Sequence, residues 1–127
     1  MIKLIASDID GTLVENSTAV LHPEMFDLIR KLKQKGILFC AASGRQYQSI
    51  ANMFEPVKDD IIFLAENGAH IRYQGNDIAL VEMKREHIEE IVHTIRRENT
   101  DGDYIVSTND GSIMDTKNQE FIDLITY

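Results

Sequence analysis

Two aspartates, Asp8 and Asp10, stand at the exit of a short apolar run, with Gly11 and Thr12 directly behind them. Desolvating like charges a few ångströms apart is costly unless a cation or a shared proton compensates, so an apolar strand ending in two carboxylates suggests chemistry. In extended backbone, residues two apart project to one side, which sets both carboxylates toward a common space and Ile9 away from it. One carboxylate is then placed to act as a nucleophile and the other as an acid and base. Gly11 lets the chain turn tightly, and Thr12 offers a hydroxyl or an amide to an anion. The competing explanation is an ordinary strand-end turn, because Asp and Gly are common turn residues. The strand context and the Gly-Thr-Leu that follows favour chemistry.

The elements that must position these residues read as an α/β series. Ile2 to Ser7 is a nearly continuous apolar run, the pattern of a parallel strand covered on both faces. Pro23 suits a first helical position; Met25, Phe26, Ile29 and Leu32 recur at helical spacing, and Gly36 supplies a stop. Ile37 to Ala42 is a second buried-type strand, followed by Ser43, Gly44 and Arg45. Gln46 to Phe54 reads as a second helix stopped by Glu55 and Pro56, and Ile61 to Ala65 as a third strand, followed by Glu66, Asn67 and Gly68. In open parallel sheets ligands bind beyond the carboxyl ends of the strands, and here three strands each deliver polar residues to that edge. His70 to Tyr73 and Asp77 to Val81 flank Gly75 and Asn76 and read as a hairpin attached to the sheet.

From Lys84 the pattern changes. Ile88, Ile91, Val92 and Ile95 form one apolar stripe on a charged helix. Tyr104 to Thr108 and Ser112 to Thr116 read as a hairpin about Asp110 and Gly111, and Phe121 to Tyr127 as the start of another helix. A helix followed by antiparallel strands does not continue the parallel series, so a boundary is expected near Glu82, with residues 1–81 and 82–127 as two domains.

Composition narrows the partners. The 127 residues carry 43% hydrophobic residues, ordinary for a globular core. Thirteen Lys and Arg against twenty-one Asp and Glu give a net charge of −8, which repels nucleic acid and anionic membrane surfaces at long range. An anionic small substrate stays compatible, because local cations and backbone amides reverse the field inside a site. Cys40 is the single cysteine, so no intramolecular disulfide forms, and a reducing, cytoplasmic setting is expected. No apolar run approaches the ~20 residues of a membrane span. His22, His70, His87 and His93 share no ligand spacing, which argues against zinc and leaves them as surface or interface residues.

DIDGTL at Asp8 to Leu13 resembles the first motif of the haloacid dehalogenase superfamily, whose phosphatases form an aspartyl phosphate. ASGR at Ala42 to Arg45 is similar to the second motif of its Cof-type sugar phosphatases, and ENGA at Glu66 to Ala69 to their next core strand exit. The resemblance implies a Rossmann-like parallel core, present in part, and the beginning of an α+β cap domain. It implies that Asp8 is the nucleophile and a magnesium ligand, and that Asp10 is the general acid and base and lends its backbone carbonyl to the metal. It makes Ser43 a phosphate-binding hydroxyl.

Physical reasoning supports those roles. A carboxylate attacking a dianionic phosphate needs a cation to screen it, and Mg2+ suits all-oxygen ligands. Ser43 and Gly44 precede a predicted helix, where free amides cradle an oxyanion; a simple helix cap is the alternative. Arg45 either pairs with phosphate or braces the loop through a carboxylate, and the second reading is preferred. Glu66, Asn67 and Gly68 either line the crevice or form the turn between core strand and hairpin, and Asn67 is taken as a residue lining the site. The expected phosphate-binding set is therefore Thr12, Ser43, Gly44 and Asn67, with Asp8 and Asp10 catalytic and metal-binding.

The family pattern also requires a lysine beside the nucleophile and a later acidic loop. Asn109, Asp110 and Gly111 are explained by hairpin chemistry, and Lys84 and Lys117 lack a buried strand-end context. The chain thus resembles the N-terminal part of a longer enzyme, with an exposed sheet edge through which it is expected to self-associate. The expected activity is magnesium-dependent hydrolysis of small phosphate esters, sugar phosphates foremost. The alternatives are a sugar phosphomutase, or a non-catalytic fragment that binds phosphate or a protein partner.

Overall fold

A computed structural model describes residues 1–15, 20–98, 102–108 and 111–125. Contacts divide the chain into two compact units, Met1–Glu82 and Met83–Tyr127. The first unit is a five-stranded sheet in the order β1 (Leu4–Asp8), β2 (Leu38–Ala42), β3 (Ile61–Ala65), β4 (His70–Tyr73) and β5 (Asn76–Leu80). The first three strands are parallel; β4 and β5 run antiparallel to their neighbours. Helices α1 (Pro23–Gln34) and α2 (Tyr47–Met53) link the parallel strands.

Local chemistry explains α1. His22 is the N-cap and accepts the Glu24 amide, and Pro23 follows as the first helical residue. At the other end Gly36 takes φ +69°, and the amides of Gly36 and Ile37 return to the carbonyls of Lys33 and Leu32. A left-handed glycine with that bond pair closes a helix without a Cβ clash. After α2 the chain makes a 3-10 turn over Glu55–Asp60, which the Glu55–Pro56 stop signal did not disclose.

Ile2 to Ser7 reads as a strand covered on both faces, and the structure corrects this: β1 is exposed at every residue but the half-buried Ser7, whereas Phe39, Cys40 and Ala41 of β2 are all buried. Burial alternates along β3, with Ile61, Phe63 and Ala65 buried and Ile62 and Leu64 only half-buried. Both helices pack on one face, because Ile29 of α1 and Ile50 of α2 share a single cluster with Phe39, Ile61 and Phe63. Phe54 sits at its centre, 6.3 Å from the Phe39 ring and 6.2 Å edge-on to Phe63; each such buried ring contributes about 1.5–3 kcal/mol. Strand β1 pairs only with β2 among the described residues, so Leu4 and Ile5 are 50% and 37% exposed.

The hairpin turn is also one residue earlier than its Gly75–Asn76 signal suggested. Gln74 and Gly75 both take positive φ, 51° and 75°, and Asn76 already pairs with Tyr73. A two-residue turn that follows the strand twist needs left-handed backbone at both central positions. His70 is likewise not a surface residue: it is 7% exposed and its Nε2 lies 2.7 Å from Asp77 Oδ1.

The second unit comprises α3 (Arg85–Glu98), the antiparallel pair β6 (Ile105–Thr108) and β7 (Gly111–Met114), and α4 (Gln119–Ile125). Gly111 is the first residue of β7, opposite Thr108, and the turn residues Asn109 and Asp110 lie outside the described residues, as do Thr126 and Tyr127. Asp103 gathers the Thr116 hydroxyl and the Asn118 amide, and Asn118 in turn caps α4 through Phe121 N–H. No residue of α3 is buried.

Candidate active site

Asp8 ends β1 opposite Ala42, the last residue of β2, and Ala42 is opposite Leu64 of β3. The segments that leave these strands, 9–14, 43–45 and 66–68, therefore emerge at one edge of the sheet, on strands about 4.8 Å apart. This is the edge at which the sequence placed the polar clusters.

The turn after β1 is held from its buried side. Ile9 is fully buried, and its carbonyl accepts the amides of Thr12, Leu13 and Val14 at 3.2, 2.8 and 3.1 Å. Gly11, at φ +75°, returns its amide to Val14 O at 2.9 Å. Anchoring Ile9 in the core leaves Asp8 and Asp10 exposed on either side of it. Thr12 is already engaged: its amide goes to Ile9 and its hydroxyl donates to Asp8 Oδ2 at 3.2 Å. In this arrangement Thr12 orients Asp8. Ser17, at the far end of the expected loop, lies outside the described residues.

Asp10 is gripped by Arg45. The guanidinium donates from Nη2 to Oδ1 at 2.6 Å and from Nε to Oδ2 at 3.1 Å, the bidentate fork that fixes a carboxylate plane. Arg45 thus braces the loop through a carboxylate. Both Asp10 oxygens accept a bond from Arg45.

Ser43 is 7% exposed, and its Oγ accepts the Arg45 amide at 3.1 Å. It is not the cap of α2, whose N-cap is Gln46 without a side-chain cap bond. The hydroxyl closes the 43–45 turn and keeps its own proton to donate. Asn67 sits against this turn: its amide donates to Ser43 O at 3.2 Å, and a Cβ on Gly44 would stand 3.1 Å from Asn67 Oδ1. Glu66 adds a bond from its amide to Arg45 O at 3.0 Å. The Asn-Gly pair behind Glu66 is a mark of left-handed backbone at a strand exit.

A hard cation fits the donor set in part. Asp8 offers an exposed carboxylate with only one oxygen engaged by Thr12, and the Asp10 main-chain oxygen is close in sequence. Mg2+ binds through one or two carboxylates and fills its remaining positions with water and phosphate. Among the described residues no group of three or more His, Cys, Asp or Glu side chains could hold a metal.

The haloacid dehalogenase-like hydrolase family pattern matches residues 5–126. The 5-amino-6-(5-phospho-D-ribitylamino)uracil phosphatase of Escherichia coli is 32% identical over 97 residues, 76% of this chain and 36% of that protein. The phosphoglycolate phosphatase of Sulfolobus acidocaldarius is 34% identical over 76 residues, 59% of this chain and 34% of that protein. A solved structure from Eubacterium rectale superimposes on 98% of this chain with a TM-score of 0.86 at 31% identity, and the match spans 47% of that molecule. The chain therefore spans between a third and a half of the length of these relatives. No helix among the described residues is long and apolar enough to cross a membrane.

Proposed function

Because the chain belongs to the haloacid dehalogenase-like hydrolases, we propose that it is the nucleophile-bearing part of a magnesium-dependent phosphatase of small phosphorylated metabolites, sugar phosphates foremost. The observation that carries this reading is the shared exit of Asp8 and the Ser43 turn from adjacent parallel strands. Asp8 Oδ attacks phosphorus and the bond to the leaving alcohol breaks; Asp10, once protonated, gives that alkoxide its proton. Asp10 as a carboxylate then takes a proton from the water that hydrolyses the aspartyl phosphate, which frees inorganic phosphate and restores Asp8. Ser43 Oγ–H and the Gly44 amide hold the phosphate oxygens, and Thr12 keeps Asp8 oriented. Asp8 and the Asp10 carbonyl would hold Mg2+, which supplies charge neutralisation between nucleophile and phosphate. Relatives named for different small phosphorylated metabolites support the substrate class.

The test is hydrolysis of p-nitrophenyl phosphate, with binding of inorganic phosphate, both in magnesium. The full-length protein is expected to do both and its Asp8→Asn variant to lose turnover; an unchanged rate in that variant overturns the assignment. A second reading, a non-catalytic phosphate-binding module, is favoured by the lysine and the acidic loop that the family pattern requires and that the sequence does not place. Phosphate binding without turnover in the wild type would select it.

A further inference from the structure

We propose that the Glu66–Asn67 turn is a positioning device for the 43–45 loop and that Asn67 acts on phosphate through that loop, without touching it. The proposal rests on the reading of Ser43 and Gly44 as the phosphate cradle. Two consecutive residues other than glycine take left-handed backbone here, Glu66 at φ 51° and Asn67 at φ 56°, ψ 29°. Such a pair costs about 1–2 kcal/mol per residue and persists only where the surroundings demand it; Asn is among the few residues that tolerate it.

What the strain achieves is visible in the bonds. It turns the amides of Glu66 and Asn67 back onto the carbonyls of Arg45 and Ser43, at 3.0 and 3.2 Å, while the Ser43 amide reaches Leu64 O on β3 at 2.9 Å. The Ser43 carbonyl belongs to the same planar trans peptide as the Gly44 N–H, and the two point in opposite directions. Drawing that carbonyl toward the exit of β3 therefore aims the Gly44 N–H away from β3. Strand β2 lies between β3 and β1, so this is the side on which Asp8 leaves the sheet. The Gly44 amide has no bonded acceptor among the described residues. Gly44 also leaves room for the turn: a Cβ there would sit 3.1 Å from Asn67 Oδ1 and 3.4 Å from Nδ2, closer than side chains normally pack.

The test separates backbone conformation from side chain. Asn67→Gly keeps the left-handed backbone and is expected to bind inorganic phosphate within about threefold of wild type; Asn67→Val resists that backbone and is expected to bind about tenfold more weakly per folded molecule, the equivalent of one misaimed hydrogen bond. Hydrogen exchange of the residue 66 and 67 amides provides a second readout that does not involve phosphate, with protection kept in Asn67→Gly and lost in Asn67→Val. A merely stabilising role would lower the unfolding midpoint of Asn67→Val and leave its folded fraction binding as wild type does, which overturns the proposal. Equal weakening in both variants overturns it too. If the wild type binds no phosphate, the proposed function fails separately, and exchange alone decides: protection retained in Asn67→Val refutes the positioning turn, and selective loss supports it.

Discussion

Breaking the Arg45–Asp10 fork is the most direct way to ask whether the acid–base residue is braced. Its two charge-assisted bonds, at 2.6 and 3.1 Å, would each contribute about 1.5–3 kcal/mol in a sealed interior. The side chains are, however, 28% and 42% exposed, and exposed pairs typically yield about 0.2–1 kcal/mol. Bidentate geometry raises the value within that range or slightly above it, so a coupling of about 1 kcal/mol is expected. Urea unfolding of the wild type, Arg45→Ala, Asp10→Ala and the double variant isolates it, because the separate contact of Arg45 Nη1 with Met53 Sδ cancels in the cycle. Raising the salt from about 0.1 to 1 M shortens the screening length from about 10 to 3 Å, so a contact pair should keep most of its coupling. Arg45→Lys should recover less than half, since an ammonium lacks the fork. A coupling below about 0.3 kcal/mol, or one abolished by salt, would refute the claim that Arg45 fixes Asp10.

Two further outcomes follow from the packing and the hairpin. Ile9, fully buried between the two aspartates, should cost about 2–5 kcal/mol when changed to alanine, read as a lower urea midpoint at unchanged slope. The hydrogen bond from His70 holds the Asp77 carboxyl below its ordinary value, with help from the Arg72 charge and against a smaller push from burial. A depressed carboxylate contributes stability that is present above the unfolded value near 3.8 and lost as pH falls through the folded one. Asp77→Asn should therefore flatten the acid side of a thermal-midpoint profile recorded between about pH 2 and 6, and an unaltered profile would contradict the linkage.

Much of the core was legible because its signals are local. Periodicity and caps located α1, the apolar runs located β2 and β3, and the alternation of Asp8, Ile9 and Asp10 foretold which side chain is buried and which two are exposed. Contacts across the chain were not legible in the same way. Periodicity reports that a strand is apolar, while the coverage of its faces depends on where helices dock, so β1 is less enclosed than its apolar run suggests. A solvent-exposed histidine and a clipped one look alike in sequence, and His70 was misplaced for that reason. The hairpin turn slipped by one residue because Gln74 takes a backbone conformation that its type does not advertise.

The active-site candidates divide along the same line. Residue types and spacing single out Asp8 and Asp10 as candidates, two carboxylates at a strand end, whereas Ser43 and Gly44 read equally well as a helix cap until Asp8 is set on the neighbouring strand. What each group does with its hydrogen bonds was decided by tertiary structure alone. Strand register sets the Ser43 turn beside Asp8, Arg45 crosses from one strand exit to take both oxygens of Asp10, and Thr12 spends its hydroxyl on Asp8. The left-handed Glu66–Asn67 turn, 22 residues beyond Arg45 at its far end, holds the Ser43 and Arg45 carbonyls. Those are relations between segments distant in the chain, and only the pairing of three parallel strands brings them within hydrogen-bonding reach.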